Sequence, residues 1–188
     1  MFHYIGKLII NISRKFTWRS ISMSASIPVF NHITPKYVKC GKSVFINYNC
    51  RIEGIEKYNN TKYDPLIVLN DFVSIQQNAH ITCAKSITIG KNTAIAANVT
   101  ITDIHHPYLN PLLPIEKQDI IVNPVIIGED SKIFNNVVIL PGVIVGKHCV
   151  IGANSVVTND IPDYSVAVGV PAKVIKRYNF ETKIWEKI

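Results

Sequence analysis

The segment Asp103-Ile104-His105-His106-Pro107 sets two imidazoles close behind a carboxylate, at the start of a stretch (residues 104–123) that contains three prolines. A neutral imidazole, with an ordinary pKa near ~6.5, can take a proton from a substrate at neutral pH, so His105 and His106 both have the chemistry of a general base. A histidine taken alone is more often structural. A position in a proline-rich break, where functional groups tend to sit on a rigid scaffold, singles these two out. The cysteines have no comparable pattern. Cys40, Cys50, Cys83 and Cys149 form no C-x-x-C pair and are too scattered for a disulfide framework or a zinc finger. They read as small buried apolar residues in a reducing cytoplasm.

The elements that must position this chemistry follow from an internal period. From residue 127 an aliphatic recurs at every sixth position: Ile127, Ile133, Ile139, Val145, Ile151, Val157. Four places after each of the first five stand Ser131, Val137, Val143, Cys149 and Ser155, all small or β-branched. A second register runs through Leu69, Ile75, Ile81 and Ile87, a third through Ile89, Ile95 and Ile101, and a weaker one through Cys40, Ile46 and Ile52. Period six fits neither a 3.6-residue helix nor a hairpin meander. It fits a chain coiled with three flat faces, one hexapeptide per face, with the aliphatic pointing inward. Turn residues fill the remaining places, as in Gly90-Lys91-Asn92, Gly128-Glu129-Asp130, Pro141-Gly142 and Gly146-Lys147, because tight corners require positive φ. Backbone hydrogen bonds then run between coils and the strands are parallel.

Two segments break the period. Residues 53–66 are polar and aromatic and read as a loop leaving an early coil; residues 104–123 form the proline-rich insertion. The expected organisation is an N-terminal basic amphipathic segment (1–36), a β-helix (37–175) carrying the insertion, and a C-terminal tail (176–188), with Lys173–Ile188 forming a short helix or edge cap.

Charge divides unevenly along the chain. Residues 1–52 hold eight Lys or Arg and no acid, whereas residues 53–188 hold twelve basic and thirteen acidic residues. Such a basic head suits an anionic surface, either a membrane or a phosphate-bearing ligand. Ile5, Leu8, Ile9, Ile12 and Phe16 fall on one face at helical spacing, with Lys7, Arg14 and Lys15 off it, so a short N-terminal helix is expected. It would either lie on the inner face of the membrane or cap the open end of the core. The head does not read as a signal peptide, and no apolar run approaches the ~20 residues of a spanning helix. The expected location is cytoplasmic.

The stretches "QNAHITCAKSITIG", "ITDIHHPYLNP", "IGANSVVTNDIP" and "VGVPAKVIKR" together resemble the hexapeptide-repeat O-acetyltransferases, especially the galactoside, maltose and polysaccharide branch, over residues 67 to 177. The resemblance implies an all-β, left-handed parallel β-helix, a hand that the period alone does not set. It also implies a homotrimer with sites between subunits, acetyl-CoA as co-substrate, no metal, and direct acetyl transfer to a hydroxyl of a sugar or glycan. By the family's pattern His106 is the catalytic base, with His105 as competitor. Asn78 and Asp103 take acceptor-binding positions. Asn135, Ala153, Thr158, Lys173 and Lys176 take positions along the CoA groove, where cations suit phosphates. Phe134 and Asn159 depart from the pattern, which commonly has a glycine and a lysine there.

Two other readings remain at this level. A γ-class carbonic anhydrase on the same helix needs three histidines around a metal, and His80, His105, His106 and His148 lack the expected spacing. A trimeric scaffold without catalysis is the other. Within acyltransfer, N-acylation of an amino-sugar nucleotide is the alternative to O-acetylation.

Overall fold

The computed structural model describes residues 20–22, 24–28 and 31–188. The chain winds as a left-handed parallel β-helix with three walls, visited in a fixed order. The first wall stacks Ser20–Ile21, Val38–Cys40, Leu66–Leu69, Ser86–Ile89, Val125–Ile127 and Ile144–Val145. The second contains Phe45–Ile46, Ser74–Ile75, Ala94–Ile95, Lys132–Ile133, Val150–Ile151 and Ser165–Val168. The third contains His32–Ile33, Arg51–Gly54, His80–Cys83, Thr100–Thr102, Val138–Ile139 and Val156–Val157. Every pairing among these strands is parallel and in register, for example Ile95 with Ile75 and Ile133, and Ile101 with Ile81 and Ile139.

The period-six aliphatics make the core. Ile127, Ile133, Ile139, Val145, Ile151 and Val157 are fully buried, and so are Ile75, Ile81, Ile87, Ile89, Ile95 and Ile101. Each contributes about 1.5–3 kcal/mol by leaving water. The small positions Ser131, Val137, Val143, Cys149 and Ser155 are buried beside them, where a larger side chain would collide with its counterpart in the next coil. Ser131 shows how a polar residue fits there: its hydroxyl donates to the Gly146 carbonyl at 3.1 Å and accepts from the Cys149 amide at 2.9 Å. All four cysteines are buried.

The corners have distinct chemistry. Between the first and second walls, glycines stack so closely that a Cβ on Gly128 would lie 2.5 Å from the carbonyl carbon of Gly146. Between the second and third walls, Asn78, Asn98, Asn136 and Asn154 all adopt φ of 59–60°. They form a ladder in which each side-chain amide donates to the next carbonyl oxygen, at 3.1, 3.0 and 2.9 Å. Asparagine both tolerates left-handed backbone and bonds its neighbour in the next coil. At the third corner, between the third and first walls, both insertions leave the helix.

Two expected boundaries are corrected. The helix begins before residue 37, because Ser20–Ile21 pairs with Lys39–Cys40, Ser26 bridges to Phe45, and His32–Ile33 pairs with Arg51–Ile52. Of the two forms expected for the C-terminal tail, it takes the edge cap and contains no helix. Lys173–Asn179 turns back antiparallel on Ser165–Val168 and continues into Ile184–Lys187, extending the second wall. Its largely alternating exposure, and the β-branched Val174 and Ile175 with the aromatic Tyr178, suit a strand. The expected N-terminal helix lies outside the described residues.

Candidate active site

The corner that carries the insertions is built by Asp103. The inward aliphatics Ile81 and Ile89 are eight residues apart, two more than the period, so the chain bulges at Ala84 and Lys85. Asp103, fully buried, fills that bulge. Its carboxylate accepts the amides of Ala84, Lys85 and Ser86, each at 2.7 Å. It also accepts the Cys83 thiol at 3.3 Å. Burial, and next the adjacent Asp103 charge, push the Cys83 thiol well above its ordinary pKa, so it remains a neutral donor. Asp103 was expected to touch the acceptor. With both oxygens engaged beneath the surface, it is instead the fastening point of the insertion.

From there Ile104–His105 pairs antiparallel with Ile121–Val122, giving the insertion a narrow base. Pro107 is buried, while His105 and His106 are exposed. The other insertion, which reads as a plain loop in sequence, is a hairpin, Lys57–Tyr58 against Thr61–Lys62. It leaves the same corner two coils earlier and clamps the proline-rich loop. The Asn59 amide donates to the Glu116 and Gln118 carbonyls at 3.3 and 3.2 Å, the Thr61 hydroxyl to Asp119 at 2.6 Å, and the Tyr63 hydroxyl to the Ile120 carbonyl at 3.3 Å.

Beside His106 this clamp delivers two residues that sequence reasoning missed. The Tyr58 hydroxyl donates to the Glu116 carboxylate at 2.6 Å and lies 3.5 Å from His106 Nδ1, with the two rings edge to face at a centroid distance of 5.3 Å. The Glu116 hydrogen bond pushes the Tyr58 pKa up to about 12, so the phenol stays protonated. A usable signal was present. Ile52 and Ile101 hold the same inward register on the third wall, both opposite Ile81, and the two insertions begin one and three residues after them, so the phase of the repeat sends both out of one corner.

The remaining expected residues flank the third wall. Asn78 is exposed at the asparagine corner, its amide donating to Asn98. Asn135 and Ala153, each one residue before a ladder asparagine, lie farther along the same corner, and the Asn154 amide donates to the Asn135 carbonyl at 2.9 Å. Thr158 stands exposed at the opposite edge of the third wall, just past Val156–Val157. The segment 169–172 runs beside Val156, which donates to Gly169 at 3.0 Å and accepts from Ala172 at 2.8 Å. This brings Lys173 to the same end, exposed, with Lys176 half-buried on the same strand. Phe134, next to Asn135, faces outward with the Lys132 ammonium 5.5 Å above its ring. The outer face of the third wall between these edges carries His80, whose Nε2 is 2.9 Å from the Thr82 hydroxyl.

Residues 124–159 match the model for the bacterial transferase hexapeptide (six repeats). The chain is 43% identical over 129 residues to the putative lipopolysaccharide biosynthesis O-acetyl transferase WbbJ of Escherichia coli, covering 65% of this chain and 66% of that one. It is 43% identical over 98 residues to the galactoside O-acetyltransferase of the same organism, covering 52% and 47%. The chain thus spans from about half to just under two thirds of these curated relatives. Among solved structures, AntD, an N-acyltransferase from Bacillus cereus in complex with dTDP and 3-hydroxybutyryl-CoA, superposes with a TM-score of 0.69 at 19% identity, over 92% of this chain and 90% of that one. The repeat, the walls and these relatives together make the chain similar to hexapeptide-repeat transferases, among them sugar and lipopolysaccharide O-acetyltransferases.

Proposed function

We propose that the protein is an acetyl-CoA-dependent O-acetyltransferase acting on a hydroxyl of a sugar or glycan. The observation that carries this reading is an exposed histidine, His106, on a fastened insertion of a hexapeptide helix whose sequence relatives are O-acetyltransferases. His106 accepts the proton of the acceptor hydroxyl as its oxygen attacks the thioester carbonyl. The C–O bond forms, the C–S bond breaks, and the proton passes to the departing CoA thiolate, leaving an acetyl ester and free CoA. A positioned base of this kind supplies roughly 10²–10⁴ in rate.

The co-substrate fits the far end of the third wall. Asn135 and the small Ala153 line one edge and Thr158 the other, and the Lys173 and Lys176 ammoniums suit phosphates. Asn78 stays a candidate for holding the acceptor, since its carbonyl oxygen accepts nothing within the ladder. A single coil stack presents only one side of such a groove, so a homotrimer with sites completed by neighbouring copies belongs to the proposal. Ile126 and Ile144 on the outer face of the first wall, 42% and 45% exposed, are candidates for shielding by a partner.

The test follows CoA release from acetyl-CoA with a panel of sugars, oligosaccharides and sugar nucleotides, with mass spectrometry of the products and light scattering of the protein. Ester formation by a trimer is expected. Amide formation on amino-sugar nucleotides, or no transfer to any acceptor, would overturn the O-acetyl reading, and a strictly monomeric mass would remove the shared site.

A further inference from the structure

We infer that Tyr58 and Glu116 are positioning residues for His106, fixing its Nδ1–H tautomer so that Nε2 is the atom left to take the substrate proton. The inference rests on the reading of His106 as the base and extends it to two residues outside the family pattern.

A phenol has one proton and two lone pairs. The Tyr58 proton goes to the Glu116 carboxylate, because the contact to that oxygen is 2.6 Å and the alternative, to the Glu116 carbonyl, is 3.2 Å. A length of 2.6 Å is that of a charge-assisted O–H···O⁻ bond. What Tyr58 turns toward His106 Nδ1 is therefore a lone pair, at 3.5 Å. An unprotonated Nδ1 would face that lone pair with its own, whereas an Nδ1–H donates to it. Donation there leaves Nε2 unprotonated. The raised Tyr58 pKa agrees, since the phenol holds its proton throughout the range in which an imidazole acts as a base.

The rest of the clamp supplies rigidity. Glu116 sits in the 3-10 turn Ile115–Lys117, whose carbonyl is held by Asn59, the neighbour of Tyr58 in the hairpin. The edge-to-face ring contact limits rotation of the imidazole as well. The arrangement is chemically a hydroxyl-bridged version of the carboxylate–histidine pair, which orients an imidazole and selects its tautomer. It differs in being solvent-exposed, so its effect is smaller than that of a buried carboxylate.

The experiment uses the full chain, ¹⁵N-labelled, with the His106 ring nitrogens assigned by comparison with H106A. At a pH where the ring is neutral, the expected signature is a protonated Nδ1 and an unprotonated Nε2. In Y58F, which keeps the ring contact and loses only the hydroxyl, the tautomer should move toward Nε2–H. Kinetically, Y58F and E116Q should lower kcat roughly ten- to hundred-fold, less than loss of the base itself, with KM for acetyl-CoA unchanged. A neutral His106 in the Nε2–H form, or a tautomer that Y58F does not alter, overturns the inference whether or not the chain transfers acetyl. A chain that transfers to no acceptor, yet shows the Nδ1–H form and loses it in Y58F, supports the positioning and removes the acetyltransferase reading.

Discussion

Asp103 accepts the Ala84 amide at 2.7 Å, so the residue from which the proline-rich insertion departs is fastened to the bulged corner of the preceding coil. Three backbone donors converge on this one buried carboxylate. Asp103→Asn keeps the shape but replaces one acceptor oxygen by a donor, leaving at least one buried amide without a partner. Each such loss costs about 1–3 kcal/mol, more when the lost acceptor is charged. The variant should lose about 3 kcal/mol or more in urea unfolding. A loss under 1 kcal/mol would mean that the corner holds its shape without Asp103.

The next prediction separates the two adjacent histidines. Both are exposed, but only His106 is set against Tyr58; His105 makes its ring contact with Tyr108 at 6.1 Å. His106→Ala should lower kcat roughly 10²–10⁴-fold with an unchanged melting temperature, because it removes a base and no core contact. His105→Ala should be milder. The reverse ranking would move the base by one residue.

What the sequence made legible is the part that repeats. Ile127, Ile133 and Ile139 could be assigned to the core because a three-walled coil needs an inward aliphatic once per face, and a single slip would expose the whole row. Asn92 and Asp130 could be assigned to positive φ for the same reason, and both adopt it. The site was legible less evenly. The setting singles out His105 and His106 and the resemblance selects His106, but the motif carries no measure of depth, so Asp103 reads as an acceptor-binding residue. The eight-residue step from Ile81 to Ile89 was the trace of its true place. Tyr58 and Glu116 meet across 58 positions through two aperiodic segments; the repeat's phase brings both segments out at one corner, but no period inside them says which of their residues meet.

The Tyr58–Glu116 pair has a spectroscopic consequence of its own. Donation to an ionised Glu116 favours the neutral phenol, raising the Tyr58 pKa from 10.0 to about 12. By linkage, a group raised in the folded state contributes its stabilisation fully below its unfolded pKa and loses it as pH rises through the folded one. The contribution of this exposed pair should therefore be intact below pH 10 and fade as pH approaches about 12. In the wild-type minus Y58F difference titration, the tyrosinate absorbance should rise near pH 12 instead of 10. E116Q should return it toward 10. A difference titration centred at 10 in the wild type would show that the pair does not form in solution.

The last prediction concerns the basic head, of which residues 1–19 lie outside the described part of the chain. Lys7, Arg14, Lys15 and Arg19 are four cations with no acid among them. Each basic residue near an anionic bilayer contributes about 1 kcal/mol, which gives a weak attachment that salt reverses. Among the described residues no helix is long and apolar enough to cross a membrane, so an attachment of this kind would be peripheral. The coil that starts at Ser20 decides where to cut. Because Ser20–Ile21 already pairs with Lys39–Cys40, a deletion reaching residue 25 would strip a strand from the first wall and confuse docking with folding. Deleting residues 1–19 leaves that strand in place. If the head serves the surface, the truncated chain should stop sedimenting with phosphatidylserine vesicles while keeping its melting temperature, and the full chain should be released by raising the salt. If the head covers the end of the core, truncation should lower the melting temperature or cause aggregation through the uncovered edge, and the full chain should never sediment with the vesicles.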